Sequence, residues 1–192
     1  MSKLKVFCFG FGQVAEFFIN KLIQEKKNFD LSITSRQETH QIEINNLKVS
    51  SFQFSHDKFD SSIKKQLEEA NYILISIPPI EGRDIVANYL DKNLINIKNC
   101  KWITYLSATS VYGDHKGGWV NENSITKPTS SNGLSRLAAE NTWRELSIKN
   151  EYPLQIFRLA GIYSNQFNIL KRLQSGNVQL VDKKNHYFSR IH

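Results

Sequence analysis

Residues 3–15 read KLKVFCFGFGQVA. A short apolar run (Leu4, Val6, Phe7, Cys8, Phe9) stops at Gly10-Phe11-Gly12-Gln13-Val14-Ala15, and Phe17, Phe18, Leu22 and Ile23 follow at helical spacing. Strand, glycine turn and helix, in that order, form the setting that raises a G-x-G-x-x-A pattern above chance. Gly10 permits the tight turn, and Gly12 lets a ligand approach the main chain with no side chain between. Ala15 keeps helix and strand close. The helix start opened by Gln13 and Val14 offers unpaired N–H donors and a positive dipole end, which suit a diphosphate. The competing reading is a buried strand followed by an ordinary glycine turn. All three contextual conditions of the motif favour the dinucleotide reading.

The chain has 192 residues, enough for one domain with a sizeable core and short for two. No apolar run approaches the ~20 residues of a membrane span. A strand within the first few residues leaves no room for a signal peptide's apolar region. Two cysteines, Cys8 and Cys100, make neither a disulfide framework nor a zinc cluster. They read as buried thiols of a cytoplasmic protein, and no metal site is expected. The formal charge of +7 invites a polyanionic partner. The lysines are scattered, however, and Lys26-Lys27, Lys64-Lys65 and Lys183-Lys184 read as helix ends and turns, which argues against nucleic acid.

Residues 28–34 read as a second strand, with Phe29, Leu31 and Ile33 alternating, and stop at Ser35-Arg36. In a dinucleotide-binding fold this strand end faces the adenosine ribose, where an acidic residue accepts from the hydroxyls and repels a 2′-phosphate. Here the acid is missing. A hydroxyl at Ser35 followed by the Arg36 guanidinium suits a phosphate, so NADP is favoured over NAD. Arg36 as a simple loop cation is the alternative. Residues 37–49 are polar with isolated apolar positions and read as loop plus a short helix. A third strand is placed at 49–54, with His56-Asp57 at its end reading as an adenine contact or a surface turn. Residues 59–70 carry Phe59, Ile63, Leu67 and Ala70 at helical spacing. Residues 72–77 form a continuous apolar run, as expected of a strand buried on both faces. Pro78-Pro79 then hold the backbone extended beside the glycine loop, which puts Pro78 at the ribose and nicotinamide. Asp84 stands near the start of the next helix (Ile85, Val86, Tyr89, Leu90), where a carboxylate is favourable.

A fifth strand at 101–106 leads into Ser107-Ala108-Thr109-Ser110-Val111-Tyr112-Gly113-Asp114. Downstream stand Pro128-Thr129-Ser130-Ser131-Asn132-Gly133-Leu134-Ser135-Arg136, a helix over 137–146, and Ile156-Phe157-Arg158-Leu159-Ala160-Gly161-Ile162-Tyr163. With the glycine loop these segments, in this order, resemble the extended short-chain dehydrogenases/reductases, the group of nucleotide-sugar epimerases and dehydratases. The resemblance spans essentially the whole chain, from Lys5 to His192. It implies a doubly wound α/β sheet of Rossmann type, mostly parallel with helices on both faces, a nicotinamide dinucleotide and a small hydroxylated substrate.

In that family a tyrosine serves as acid and base, a lysine four residues later lowers its pKa, and a Ser or Thr at the strand-five end binds the reacting oxygen. Here the tyrosine position is Asn132, whose amide cannot donate and recover a proton at neutral pH, and the lysine position is Arg136. Arg136 is still expected to line the nicotinamide side. The Ser/Thr position falls on Ala108, and an offset of one selects Ser107 or Thr109. This combination resembles the atypical branch of the group, whose members are described only as NAD-dependent epimerase/dehydratase-like. Tyr112 and Tyr163 stand as replacement acids, against packing in turn positions. His115 reads as a surface turn or a titratable group at the site's mouth, and Trp119-Val120-Asn121-Glu122 as a loop or short strand over the site, with Glu122 in a rim salt bridge or facing a substrate hydroxyl. Trp143 and Arg144 read as packing and solvent-face residues, and Arg158, a charge in an apolar run, calls for a carboxylate or carbonyl partner.

Residues 168–173 read as a short helix ended by Ser175-Gly176-Asn177, and 178–181 as a short strand. Arg190-Ile191-His192 resembles the family's R-I-H segment, beyond which a substrate-covering region follows in those proteins. The chain therefore reads as one dinucleotide-binding domain over 1–192, with about 160–192 opening a shortened substrate region. Two functions fit: an oxidoreductase or epimerase acting on a hydroxylated or nucleotide-linked molecule, and a dinucleotide-binding sensor or interaction module without turnover. The oligomeric state is left open.

Overall fold

The computed structural model describes residues 3–80, 82–165, 168–176, 187 and 189–192. Its elements run β1 (Leu4–Phe9), α1 (Gln13–Gln24), β2 (Phe29–Ser35), β3 (His40–Ile44), β4 (Leu47–Gln53), α2 (Ile63–Glu69) and β5 (Tyr72–Ile75). There follow α3 (Ile85–Asn93), β6 (Trp102–Ala108), a 3-10 turn (Thr109–Val111), α4 (Ser131–Asn150), β7 (Leu154–Leu159), β8 (Gly161–Ile162), α5 (Ile169–Gln174) and β9 (Arg190–Ile191). Seven strands form one sheet in the order β3-β4-β2-β1-β5-β6-β7. Every neighbouring pair in it is parallel except β3–β4. From β1 the chain builds outward to β2 and β4, then crosses back and builds β5, β6 and β7 on the other side. The doubly wound α/β sheet expected from the alternation of strands and helices is the sheet observed.

The alternation of β1 explains its continuous apolar run. Phe7 and Phe9 enter a core with residues of α2, α3 and α4, while Val6 and Cys8 enter a second core with Ala15 and Ile19 of α1. A strand covered on both faces has no polar side to display. Burial pushes the Cys8 thiol up to about 12 and the half-buried Cys100 thiol up to about 11, so both are packing groups. Asp84 caps α3, its Oδ1 accepting the N–H groups of Val86 and Ala87 at 3.0 and 2.9 Å. No helix among the described residues is long and apolar enough to cross a membrane.

Two expectations are corrected. Residues 37–49 hold no helix; β3 and the start of β4 form an antiparallel hairpin there, registered by Ile42 opposite Val49. Its turn is Asn45-Asn46, with φ of 48° and 64°. Paired positive φ values give the turn whose twist matches the strands, and asparagine tolerates them better than most residues. The helix expected from residue 59 begins only at Ile63. Asp60 accepts the Ser62 N–H at 2.8 Å, which makes a turn there, and Phe59 packs edge-on against Tyr89 with ring centres 4.9 Å apart. The strand expected over 178–181 lies outside the described residues.

Two of the three tryptophans divide sharply. Trp143 on α4 is fully buried beside Tyr105, and Trp119 is fully exposed. Trp143→Ala should cost about 3–5 kcal/mol in chemical denaturation, whereas Trp119→Ala should stay within about 0.5 kcal/mol of the parent.

Candidate functional site

In an open α/β sheet, ligands bind outside the carboxyl ends of the strands where the order reverses. Here that place lies at the ends of β1 and β5. Gly10 adopts φ +78°, and a Cβ there would come within 3.0 Å of Ile77 Cγ1. Its N–H donates to Thr34 Oγ1 at 2.8 Å. Gly12 precedes α1 in an extended conformation, and its missing Cβ faces only Ser76 Oγ, 3.3 Å away. The helical ladder opens with Glu16 N–H to the Gly12 carbonyl at 3.0 Å. The N–H groups of Gln13, Val14 and Ala15 thus precede the ladder. Main-chain donors at the start of a three-turn helix, reached over a residue without a side chain, fit a diphosphate.

The neighbouring strand ends complete this crevice. Ser35 is half-buried and its hydroxyl accepts from Ser51 Oγ at 3.2 Å. Arg36 is exposed and makes no ion pair among the described residues. Ser76 N–H donates to the Phe9 carbonyl at 2.9 Å, which holds the Pro78-Pro79 segment beside the glycine turn; Pro78 itself is exposed. His56 and Asp57 pair with each other at 2.7 Å in an exposed turn. The Gln13 side chain donates to Ser164 Oγ at 3.0 Å. Since β5 and β6 lie between β1 and β7, the segment after β8 crosses the carboxyl edge of the sheet to reach α1.

A second feature is an open groove of about 1860 Å³ along α4 and β7, whose lining includes Thr109, Tyr112, Trp119, Glu122, Arg144 and Arg158. The glycine turn is not part of it. Thr109 is half-buried at the groove. Tyr112 is buried, with the Arg158 guanidinium 4.8 Å from its ring centre. The turn that follows is fixed by Gly113 at φ +73°, where a Cβ would collide with the Lys127 carbonyl. Asn132 is exposed in the first turn of α4. Arg136 is half-buried and donates from one terminal nitrogen to the Leu106 carbonyl at 2.6 Å, at the carboxyl end of β6. Tyr163 is largely exposed and packs edge-on to His192, ring centres 5.1 Å apart. The structure therefore gathers Gly10, Gly12, Gln13, Val14, Ala15, Ser35 and Arg36 at one place and Thr109 with Tyr112 at another. Ser107 joins neither.

Ser107 belongs instead to a buried ionic knot. Its hydroxyl donates at 2.6 Å to Glu140 of α4, a carboxylate with no exposed surface. Arg158 of β7 grips both Glu140 oxygens, through Nε at 3.0 and 3.3 Å and a terminal nitrogen at 2.7 Å. Arg144, one turn along α4, adds a bond at 2.9 Å. Burial alone would raise the Glu140 carboxyl; the Arg158 and Ser107 hydrogen bonds, with Arg144, outweigh it and hold the group below the ordinary glutamate value. The bond to Glu140 likewise raises Arg158. Arg158 thus has the carboxylate partner its apolar surroundings called for. Glu140 was missed in the sequence, although Arg136, Glu140 and Arg144 at spacings of four mark one helix stripe where opposite charges meet.

No protein-family model matches the chain and no curated protein matches it in sequence. Solved structures do share its fold. A functionally unknown conserved protein from Silicibacter pomeroyi DSS superposes with a TM-score of 0.77 at 28% identity, over 99% of this chain and 64% of that one. UDP-glucuronic acid 4-epimerase from Bacillus cereus, in complex with NAD, gives 0.69 at 15% identity over 90% and 64%. UDP-N-acetylglucosamine 4-epimerase from Bacillus cereus gives 0.63 at 19% over 84% and 55%. The chain thus spans less than two thirds of the length of each.

Glu140→Gln removes the charge that both arginines share. A broken buried pair costs about 3–5 kcal/mol, or roughly 6–20 °C in Tm for a chain of this size. The lowered carboxyl contributes stability fully above the unfolded-chain value of 4.5 and loses it as pH falls through the folded-state value. The difference between parent and variant in pH-dependent thermal melts should therefore be full at pH 7 and vanish in acid.

Proposed function

We propose that this chain is a nicotinamide dinucleotide-binding protein of the extended short-chain dehydrogenase/reductase kind, epimerase/dehydratase-like, with NADP as its cofactor. The observation that carries this reading is the glycine turn at the reversal point of the sheet, with free N–H donors behind it. The shared fold of the NAD-complexed Bacillus cereus epimerase supports a nicotinamide dinucleotide there. Gly10, Gly12 and the main chain of Gln13, Val14 and Ala15 would hold the diphosphate, and Ser35 and Arg36 the 2′-phosphate. Pro78 and Arg136 would border the nicotinamide side. When bound, the oxidised nicotinamide would accept a hydride from a hydroxyl-bearing carbon, and the reduced form would return one to a carbonyl carbon.

On the substrate side, a hydroxylated or nucleotide-linked small molecule in the α4–β7 groove would meet Thr109 and the Tyr112 turn. Thr109 has the hydroxyl to hold a reacting oxygen; Ser107 has spent its own on Glu140. A specific observation favours the second reading, binding without turnover: the Asn132 amide cannot give up and recover a proton at neutral pH, and Arg136 is turned to the Leu106 carbonyl.

Titration by nicotinamide fluorescence should show NADPH bound more tightly than NADH. Arg36→Asp should weaken NADPH by about 10–100-fold, the worth of a charge-assisted hydrogen bond, and leave NADH nearly unchanged; equal weakening of both would end the NADP assignment. Thr109→Val should lower kcat on any UDP-sugar or carbonyl substrate that turns over by about 100-fold, with NADPH affinity intact. Tight NADPH binding with no turnover on such a panel selects the sensor reading.

A further inference from the structure

Thr34 is the penultimate residue of β2 and is 2% exposed, a buried hydroxyl that needs a partner. It has one in the Gly10 N–H at 2.8 Å. The main-chain pairing of β1 with β2 ends at Cys8 opposite Ile33, so the ladder does not reach the Gly10 N–H where the chain turns at φ +78°. Thr34 Oγ1 supplies the missing rung. On the opposite side, the Phe9 carbonyl takes the Ser76 N–H of the segment after β5 at 2.9 Å. The glycine turn is gripped from both neighbouring strand ends, by main chain on one side and by one hydroxyl on the other.

We infer that Thr34 is a positioning residue for the dinucleotide: it fixes the glycine turn in the form that aims the α1 N–H groups at a diphosphate. This rests on the cofactor reading above. Because Gly10 N–H is consumed within the fold, the donors left for the ligand begin beyond it, at the helix start. Without the Thr34 acceptor, that N–H must find another partner, and the turn shifts with it. Thr34 also stands directly before Ser35 and Arg36, so one strand end serves the diphosphate turn and the adenosine end together. The two roles separate by ligand. The diphosphate is common to NADPH and NADH, so loss of Thr34 acts on both equally, whereas Arg36 discriminates between them.

The experiment compares Thr34→Val, close in shape but lacking the acceptor, with Thr34→Ser, which keeps it. NADPH and NADH are titrated by fluorescence, and hydrogen exchange of the Gly10 amide is followed by NMR without ligand. Thr34→Val should weaken both dinucleotides by the same factor, about ten-fold, and speed Gly10 exchange. Thr34→Ser should restore both to within about three-fold of the parent. Should the valine not fold, Thr34→Ala removes the same acceptor and reads the same way. Unimpaired binding by the acceptor-less variant overturns this inference alone, as does a serine variant equally weakened. A parent chain that binds neither dinucleotide overturns the cofactor reading and this inference with it.

Discussion

A glutamate with no exposed surface holds the C-terminal half of this fold together. Glu140 ties α4 to the strands beneath it through Ser107 of β6 and Arg158 of β7, and Arg144 covers it from its own helix. Removing a carboxylate from water is expensive unless its oxygens are filled. Here three side chains fill them, two charged, and the result is a joint that fixes where α4 lies on the sheet. The position of α4 then decides more than stability. Arg136 and Asn132 stand one and two turns before Glu140 on the same helix, and the groove runs between that helix and β7. The Arg158 guanidinium lies against Tyr112 as well, so the turn bordering the groove is set by the same knot.

The N-terminal half depends on a different economy. β1 is the middle of the sheet, apolar on both faces, and its exit has to release the chain into a helix without leaving main-chain groups orphaned. Gly10 makes the turn, Thr34 and Ser76 satisfy the groups it exposes on either side, and the helix start beyond it keeps its donors. A rigid frame around a set of unspent N–H groups is what an anionic ligand needs, because the cost of ordering the donors falls on folding rather than on binding.

This half was the more legible in the sequence because its logic is local. Strand, turn and helix occupy consecutive residues, and the prolines after β5 announce a strand end that has to fall beside them. The hairpin over β3 and β4 was also written locally, in Asn45-Asn46 between alternating apolar residues (Ile42, Ile44, Leu47, Val49), but the polar stretch before it masked the alternation. Ser107 shows a different limit. Counting back from Val111-Tyr112-Gly113 selects a position without saying which way it faces. Strand parity does say: Ile103, Tyr105 and Ser107 share one face of β6, the face that Trp143 and Glu140 cover. The pairing of Arg158 with Glu140, by contrast, joins residues 18 apart on a helix and a strand, and no local pattern fixes that register.

Ser107 and Arg136 are both tied into the packing of the fold. The Arg136 guanidinium has five donors to satisfy, and one of them is spent on the Leu106 carbonyl. A lysine there would present a single mobile ammonium to the crevice; the arginine is anchored to the end of β6 by its planar fork. With Ser107 drawn under α4 and Arg136 drawn to the strand, the hydroxyls that the β6 exit presents to the groove belong to the turn that begins at Thr109. The crevice keeps its donors, while the polar groups at the β6 end have been taken into the fold. On the cofactor reading proposed above, a dinucleotide would meet a cradle of main-chain donors at the β1 exit and, at the β6 exit, side chains already bonded within the fold. The Gln13–Ser164 contact is a direct link between the helix start of that cradle and the C-terminal segment crossing the sheet.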